Sequence, residues 1–193
     1  ISVEDGTPSH RRHRQAGQDA YLEVWCEAAG MVPQLRRVAE PYGVAVATSG
    51  GFDSVTAKYD AASRFLARDV PTIVLHIGDH DPSGCSIIDS AAEDIAAFCD
   101  DTAPGIVQFR RLAVTPDQIR ELELPTAPPK SGDRRGEAMT DTVQAEAIPP
   151  AVLAEIVANE ITSLIDLDVY RQVLDIESGE RADLIALISE VDR

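Results

Sequence analysis

The sequence is poor in aromatic residues and in cysteine, and both shortages limit what the chain can be. Phe, Trp and Tyr make up 5% of the 193 residues, so a core must be built mainly from Val, Ile, Leu and Ala. The three cysteines, Cys26, Cys85 and Cys99, form no Cys-x-x-Cys pair. This usage indicates a reduced, cytoplasmic protein, and it argues against a structural zinc site.

Long hydrophobic runs are absent as well. No apolar stretch approaches the roughly 18–20 residues that a membrane-spanning helix needs, and no secretory signal opens the chain. We therefore expect no membrane partner. The first residue is Ile rather than Met, as in a fragment or a processed chain, so a further domain before it is one of the expectations.

Basic residues are outnumbered by acidic ones, 17 to 33, which gives a formal net charge of −16. Such a charge repels nucleic acid at long range and argues against a stand-alone DNA-binding module. DNA chemistry is not excluded, because divalent cations and a separate basic domain can supply positive charge. One basic cluster, at residues 10–14, is interpreted as part of a solvated arm in preference to a phosphate-binding arm.

The chain does contain an alternation of short apolar runs and amphipathic segments. The predicted strands are 21–26, 44–47, 72–77 and 107–114. Predicted helices lie between them, at 31–42, at 53–68 and after residue 81. Toward the core of the second and third helices we place Val55, Tyr59, Ala62, Phe65, Leu66, Ile87, Ile88, Ala91, Ile95, Phe98 and Cys99. This alternation predicts an α/β fold with a mostly parallel sheet and helices on both faces.

The organisation along the chain follows from the same patterns. Residues 1–19 are polar and predict a flexible N-terminal arm, and residues 20–115 hold the α/β core. Residues 116–193 predict a long loop and a helical C-terminal extension packed on the core. The loop, at 124–142, is rich in Pro, Gly and charge, and a helix begins at the Pro-Pro pair 149–150.

Two aspartates follow the strongest predicted strand, in the stretch His76-Ile77-Gly78-Asp79-His80-Asp81. In extended backbone, residues two apart point to the same side, and ligands of open α/β sheets bind at this carboxyl end of the strands. Two carboxylates about 4 Å apart repel by roughly 4 kcal/mol at an effective dielectric near 20. A divalent cation offsets that repulsion at neutral pH.

A third carboxylate, Glu27, comes directly after the first predicted strand. If that strand neighbours 72–77 in a parallel sheet, Glu27 faces Asp79 and Asp81 across one edge. Three acids without a nearby cysteine suit Mg²⁺ or Mn²⁺. The sequence therefore predicts Glu27, Asp79 and Asp81 as metal ligands and catalytic residues.

The Glu27 position together with Asp79-x-Asp81-x-x-Gly84 resembles the motif pair of Toprim domains, which occur in topoisomerases, bacterial primases and several nucleases. The chain looks closest to the Toprim part of topoisomerase VI A subunits and related phage and actinobacterial proteins, over roughly residues 21–165. Three further stretches carry the resemblance: Ser49-Gly50-Gly51-Phe52, Asp81-Pro82-Ser83-Gly84 and Gln144-Ala145-Glu146-Ala147-Ile148-Pro149. The chain departs from many relatives at Ala28, Ala29 and Gly50, where cationic residues are common.

The resemblance implies Mg²⁺-dependent phosphodiester chemistry on DNA, as in a nuclease or a topoisomerase-like enzyme. Asp79 and Asp81 would bind Mg²⁺, and Glu27 would bind metal or move a proton. In topoisomerase VI relatives the nucleophilic tyrosine lies in a preceding winged-helix domain, so strand transfer would require such a domain upstream. The four tyrosines of this chain, Tyr21, Tyr42, Tyr59 and Tyr170, lie in no recognisable nucleophile motif. The alternative is a non-catalytic Toprim-fold module that binds metal or a protein partner.

Several other residues carry open interpretations. Glu146 is either a fourth carboxylate of the site or a surface residue. His80 is expected to face solvent, and His76 is expected in the core. Lys130, Arg134 and Arg135 are expected to be solvated, with phosphate contact as the alternative.

Overall fold

The computed structural model describes residues 2–4, 7–51, 54–128 and 141–191. Its strands are β1 (Ser2–Glu4), β2 (Thr7–Ser9), β3 (Tyr21–Cys26), β4 (Ala45–Thr48), β5 (Thr72–Ile77) and β6 (Val107–Ala113). Its α-helices are α1 (Val32–Ala39), α2 (Val55–Leu66), α3 (Pro82–Asp100), α4 (Pro116–Glu121), α5 (Pro150–Leu164) and α6 (Leu167–Val191).

Strands β3 to β6 form one sheet in the order β4-β3-β5-β6, and every neighbouring pair is parallel. The predicted α/β class with a parallel sheet is confirmed. β3 and β5 coincide with the predicted runs because both are mostly apolar, as expected for strands covered on two faces; Glu23 in β3 and His76 in β5 are polar exceptions. The β1–β2 pair forms a separate antiparallel hairpin.

The period-2 alternation of the strands divides the core into two layers. Leu22, Val24 and Cys26 of β3 point to the face that α1 and α5 cover. Trp25 points to the opposite face, which α2 and α3 cover with a cluster that includes Phe65. Helices therefore lie on both faces of the sheet, as the sequence predicted.

Three residues predicted in the core lie at the surface, and those predictions are wrong. Val55 is 70% exposed, Tyr59 58% and Phe98 39%. The inward face of α2 is instead formed by Ala61, Ala62 and Phe65, which are buried. Tyr59 and Phe98 pack edge to face with ring centroids 5.7 Å apart, on the outer side of the α2–α3 contact. The side chain of Ile87, also placed in the core, lies outside the described residues.

Residues 10–18 differ from the flexible arm that their polarity predicts. Gln15 is buried; its amide accepts a hydrogen bond from the Leu22 N–H at 2.6 Å and donates one to the Gly43 carbonyl at 3.0 Å. Gln18 donates to the Asp166 carbonyl at 2.9 Å. Arg14 pairs with the buried Glu177 of α6 at 2.9 Å. The polar side chains of this segment thus form hydrogen bonds and an ion pair with the rest of the fold. These partners cannot be read from the sequence pattern alone.

The C-terminal part packs on the core through α5. Its residues Leu153, Val157 and Ile161 are fully buried in the layer under α1. Residues 129–140, including Lys130, Arg134 and Arg135, lie outside the described residues, so their roles stay predictions. Over the part of the chain that is described, no helix combines the length and apolar character that membrane crossing requires.

Candidate acidic site at the carboxyl edge of the sheet

Strand pairing brings Glu27 to the turn that follows β5. β3 and β5 run side by side with Cys26 opposite Ile77, and the Glu27 N–H extends the ladder by donating to the Ile77 carbonyl at 2.9 Å. The Glu27 carboxylate oxygen Oε2 then accepts a hydrogen bond from the Asp79 N–H at 3.2 Å. Two acidic residues that are 52 positions apart in sequence therefore meet at one sheet edge.

The segment before α5 closes the other side of this turn. The His80 N–H donates to the Val143 carbonyl at 2.8 Å, and the Val143 N–H donates back to the His80 carbonyl at 3.0 Å. Two residues further, the Ala145 N–H donates to Oδ1 of Asp79 at 2.9 Å. Glu146 is exposed, yet its charge acts on Asp79, so it lies close enough to join the acidic group.

Gly78 is a site residue that the sequence patterns did not single out. A Cβ atom at this position would lie 2.8 Å from Oε2 of Glu27 and 2.6 Å from Cε1 of His76. Real Cβ atoms do not approach so closely, so only glycine lets the Glu27 carboxylate pass over the backbone here. In the sequence, the position of this glycine directly after an apolar strand could have indicated its role.

The acidic residues raise one another's pKa. The pKa of Glu27 is raised by burial first and then by the charges of Asp79 and Asp81, although the Asp79 N–H opposes the shift. The pKa of Asp79 is raised by burial and by the charges of Glu146 and Asp81, with the Ala145 N–H opposing. Negative charge therefore accumulates at this edge at a cost to the fold.

Arg111 of β6 is the cation beside this group, and sequence reasoning missed it. Its Nη2 atom donates to the Gly78 carbonyl at 2.8 Å and also to the Asp79 carbonyl. Its charge lowers the pKa of both Glu27 and Asp79. The presence of an arginine in a half-buried strand could have marked Arg111 in the sequence. Its partners could not have been predicted, because they depend on the pairing of β5 with β6.

His76 is buried as predicted, but it also belongs to this edge. Burial first, and then the nearby Arg111 charge, lowers the pKa of His76 to about 3, so the ring is neutral at pH 7. Arg111 Nη1 lies 3.5 Å from Nδ1, and Ser49 Oγ lies 3.5 Å from Nε2. A guanidinium can only donate, so Nδ1 accepts and Nε2 carries the hydrogen.

The described residues at this edge do not form a closed metal site. Among the described residues, no group of three or more His, Cys, Asp or Glu is arranged to hold a metal ion directly. One carboxylate oxygen of Glu27 and one of Asp79 each accept a hydrogen bond from a backbone N–H. Mg²⁺ commonly uses only one or two carboxylates and keeps several waters or substrate phosphate oxygens. The second oxygens of these two carboxylates suit that kind of binding.

The fold and the position of the acids define a class, a Rossmann-like α/β protein with a parallel sheet and a polar carboxyl edge. Comparison with known proteins finds no family model and no curated protein that matches the chain. The Toprim resemblance therefore stays a prediction from the motifs. The function has to be inferred from the geometry of the site.

Proposed function

We propose that the chain supports Mg²⁺- or Mn²⁺-dependent phosphodiester chemistry on DNA, either strand cleavage or strand transfer, as in a Toprim domain. The observation that carries the proposal is the contact between the Glu27 carboxylate and the Asp79 N–H at 3.2 Å. It joins acids from two distant segments at the edge where ligands of parallel sheets bind.

The acids take different roles in this proposal. Asp79 and Asp81 hold the divalent cation, together with waters and a phosphate oxygen. When bound, the cation stabilises the charge on the phosphoryl group and on the departing oxygen. The pKa of Glu27 is raised above its ordinary value, mainly by burial, which suits a group that exchanges a proton, so Glu27 would protonate the departing oxygen or help to hold the cation.

DNA has to reach the site against the net charge of −16. Arg111 keeps its charge but already donates to a backbone carbonyl, and a single arginine does not offset the acidic excess. We therefore propose that tight DNA binding depends on a basic partner protein or on a further domain such as a winged helix. All three cysteines are free thiols, which supports the cytoplasm as the location.

A second candidate function is a non-catalytic interaction module with the same fold. It is favoured by the net charge and by the lack, among the described residues, of three side chains arranged to hold a metal ion. In that case the acidic edge binds a cation or a basic protein segment without chemistry.

Incubation of the purified chain with supercoiled plasmid, in Mg²⁺ and separately in Mn²⁺, distinguishes the two candidates. We expect nicking by the wild type and a loss of about 100-fold or more in both Glu27→Gln and Asp79→Asn. Glu93→Gln is the matched control, because Glu93 is an exposed acid on α3; it should cleave like the wild type. Equal nicking by all four proteins would refute the proposed site, and inertness with both metals would favour the module.

A further inference from the structure

A cavity of about 360 Å³ lies between α3 and β6, next to the acidic site. Its size is that of a small-molecule or single-nucleotide pocket. The walls are apolar and come from Ile88 and Ala92 of α3 and from Phe109 of β6. We call this cavity the α3–β6 pocket.

The α3–β6 pocket and the acidic site share residues. His76, His80 and Arg111 line the pocket. His76 Cε1 and Glu27 Oε2 lie 2.6 and 2.8 Å from the position that a Cβ atom on Gly78 would take, and Arg111 donates to the carbonyls of Gly78 and Asp79. A ligand that fills the pocket therefore lies against residues that also contact the Glu27–Asp79 edge.

The lining has the chemistry of a nucleobase site. A base offers apolar faces and a hydrogen-bonding edge. The pocket is lined by apolar side chains and by polar groups of Asp89, Thr115 and the His76–Arg111 pair. The two arginines of β6, Arg111 and Arg110, which lies 3.7 Å from Glu160, also line it and supply positive charge for a phosphate attached to the base.

We propose that the α3–β6 pocket receives one unstacked nucleobase of a DNA strand whose phosphodiester lies at Glu27, Asp79 and Asp81. This inference rests on the proposed function and names its substrate. In duplex DNA every base is stacked and paired, so a base enters such a pocket only from a single strand, from a frayed end or after flipping, and the last route costs a few kcal/mol. Single-stranded DNA is therefore the preferred substrate.

The test places a bulky side chain in the pocket and leaves the acids untouched. Ala92 is partly buried and lines the cavity, so Ala92→Phe fills it. Ala97→Phe is the matched control, since Ala97 is an exposed residue of the same helix. If Ala92→Phe fails to fold by circular dichroism, the smaller Ala92→Leu replaces it.

Binding of deoxyadenosine in EDTA is followed by NMR shifts of the backbone amides of Ala92 and Phe109. The nucleoside carries no phosphate, and the buffer contains no free metal. The binding result is therefore independent of cleavage. We expect binding to the wild type and to Ala97→Phe, and at least 10-fold weaker binding to Ala92→Phe. Absence of these shifts in the wild type, or equal binding by Ala92→Phe, would overturn the proposal that the α3–β6 pocket binds a nucleobase, even if the plasmid is cut.

A second titration tests the preference for single strands. A short deoxyadenosine oligonucleotide is added alone, and then after annealing to its complement. The inference predicts shifts at the pocket amides from the single strand and not from the duplex. Equal shifts from both forms, or none from either, would contradict the named substrate. Failure to cleave both the plasmid and single-stranded DNA would refute the proposed function and leave the pocket result standing.

Discussion

Glu23 is a charged residue in the middle of a buried strand, and its side chain is only 5% exposed. Burial by itself would raise its pKa, but hydrogen bonds from Arg64, Arg68 and the Trp25 indole lower the pKa below its ordinary value. Arg68 Nη2 donates to Glu23 at 2.7 Å. The paired carboxylate therefore contributes to stability only while it is ionised.

The sign of the pH dependence follows from that lowered pKa. The unfolded chain binds the proton first, so the contribution of Glu23 is complete above about pH 4.3 and is lost as the pH falls toward the folded pKa. We expect Glu23→Gln to lower the free energy of unfolding by about 2–3 kcal/mol at pH 7 and by clearly less at pH 3. Urea unfolding at the two pH values measures the difference.

The exposed pair of Arg11 and Glu40, 3.1 Å apart, provides the control for Glu23. Glu40→Gln should change the free energy of unfolding by less than about 1 kcal/mol at either pH. A Glu23→Gln penalty that is the same at pH 3 and pH 7 would show that the charge of Glu23 does not support the fold.

At the residue scale, the sequence predicted that Glu27 and Asp79 meet at one sheet edge, but it did not predict the residues around them, and the metal-binding role of the acids stays a prediction. Glu27 and Asp79 could be placed because each follows a strongly apolar run, and parallel strands end at the same edge. Gly78 and Arg111 could not be placed, because their roles depend on the path of the Glu27 side chain and on the register between β5 and β6. Glu23 was missed for the same reason, since its arginine partners come from the far end of α2.

At the element scale, α6 fixes the segment that precedes β3. Glu177 is buried on α6; its Oε2 accepts from the Arg12 N–H at 2.8 Å, and its Oε1 accepts from Arg14 at 2.9 Å. Glu180, one turn further, pairs with His10 at 2.8 Å. The basic residues near the N-terminus thus face the acidic helix α6 and form ion pairs and hydrogen bonds with it.

Removal of the buried carboxylate should release that segment. We expect Glu177→Ala to cost about 2–3 kcal/mol, because Arg14 loses its partner in a site with little water. Amide hydrogen exchange over residues 10–18 should become faster, while exchange in β3 and β5 stays slow. Asp175→Ala, at an exposed position of α6, should leave exchange unchanged. Equal exchange in the two variants would mean that Glu177 does not hold the segment.

The strands of the main sheet were predictable from the sequence, whereas the inward faces of the helices were less so. A run such as β5 can be assigned to a central strand with few alternatives, since every residue of that strand is buried. On α2, helical spacing allowed Val55 and Tyr59 to be read as core positions. The buried positions of the helix are instead Ala61, Ala62 and Phe65, in its second half.

At the scale of the whole molecule, the fold places like charges together although the chain is already strongly acidic. The raised pKa values of Glu27 and Asp79 mean that, without a cation, their ionised forms reduce stability at neutral pH. An amide at either position can still accept the same backbone hydrogen bond. Glu27→Gln and Asp79→Asn should therefore be neutral or stabilising in metal-free buffer.

Thermal unfolding with and without Mg²⁺, at constant ionic strength, tests the central claim that these acids form one cation site. A cation that binds only the folded state at 100 times its Kd adds about 2.7 kcal/mol. We predict a rise in Tm with Mg²⁺ for the wild type and for Glu93→Gln, and no such rise for Asp79→Asn; loss of the rise in Glu27→Gln as well would assign Glu27 to the cation rather than to proton transfer alone. The same Mg²⁺-induced change in Tm for all four proteins would contradict the account.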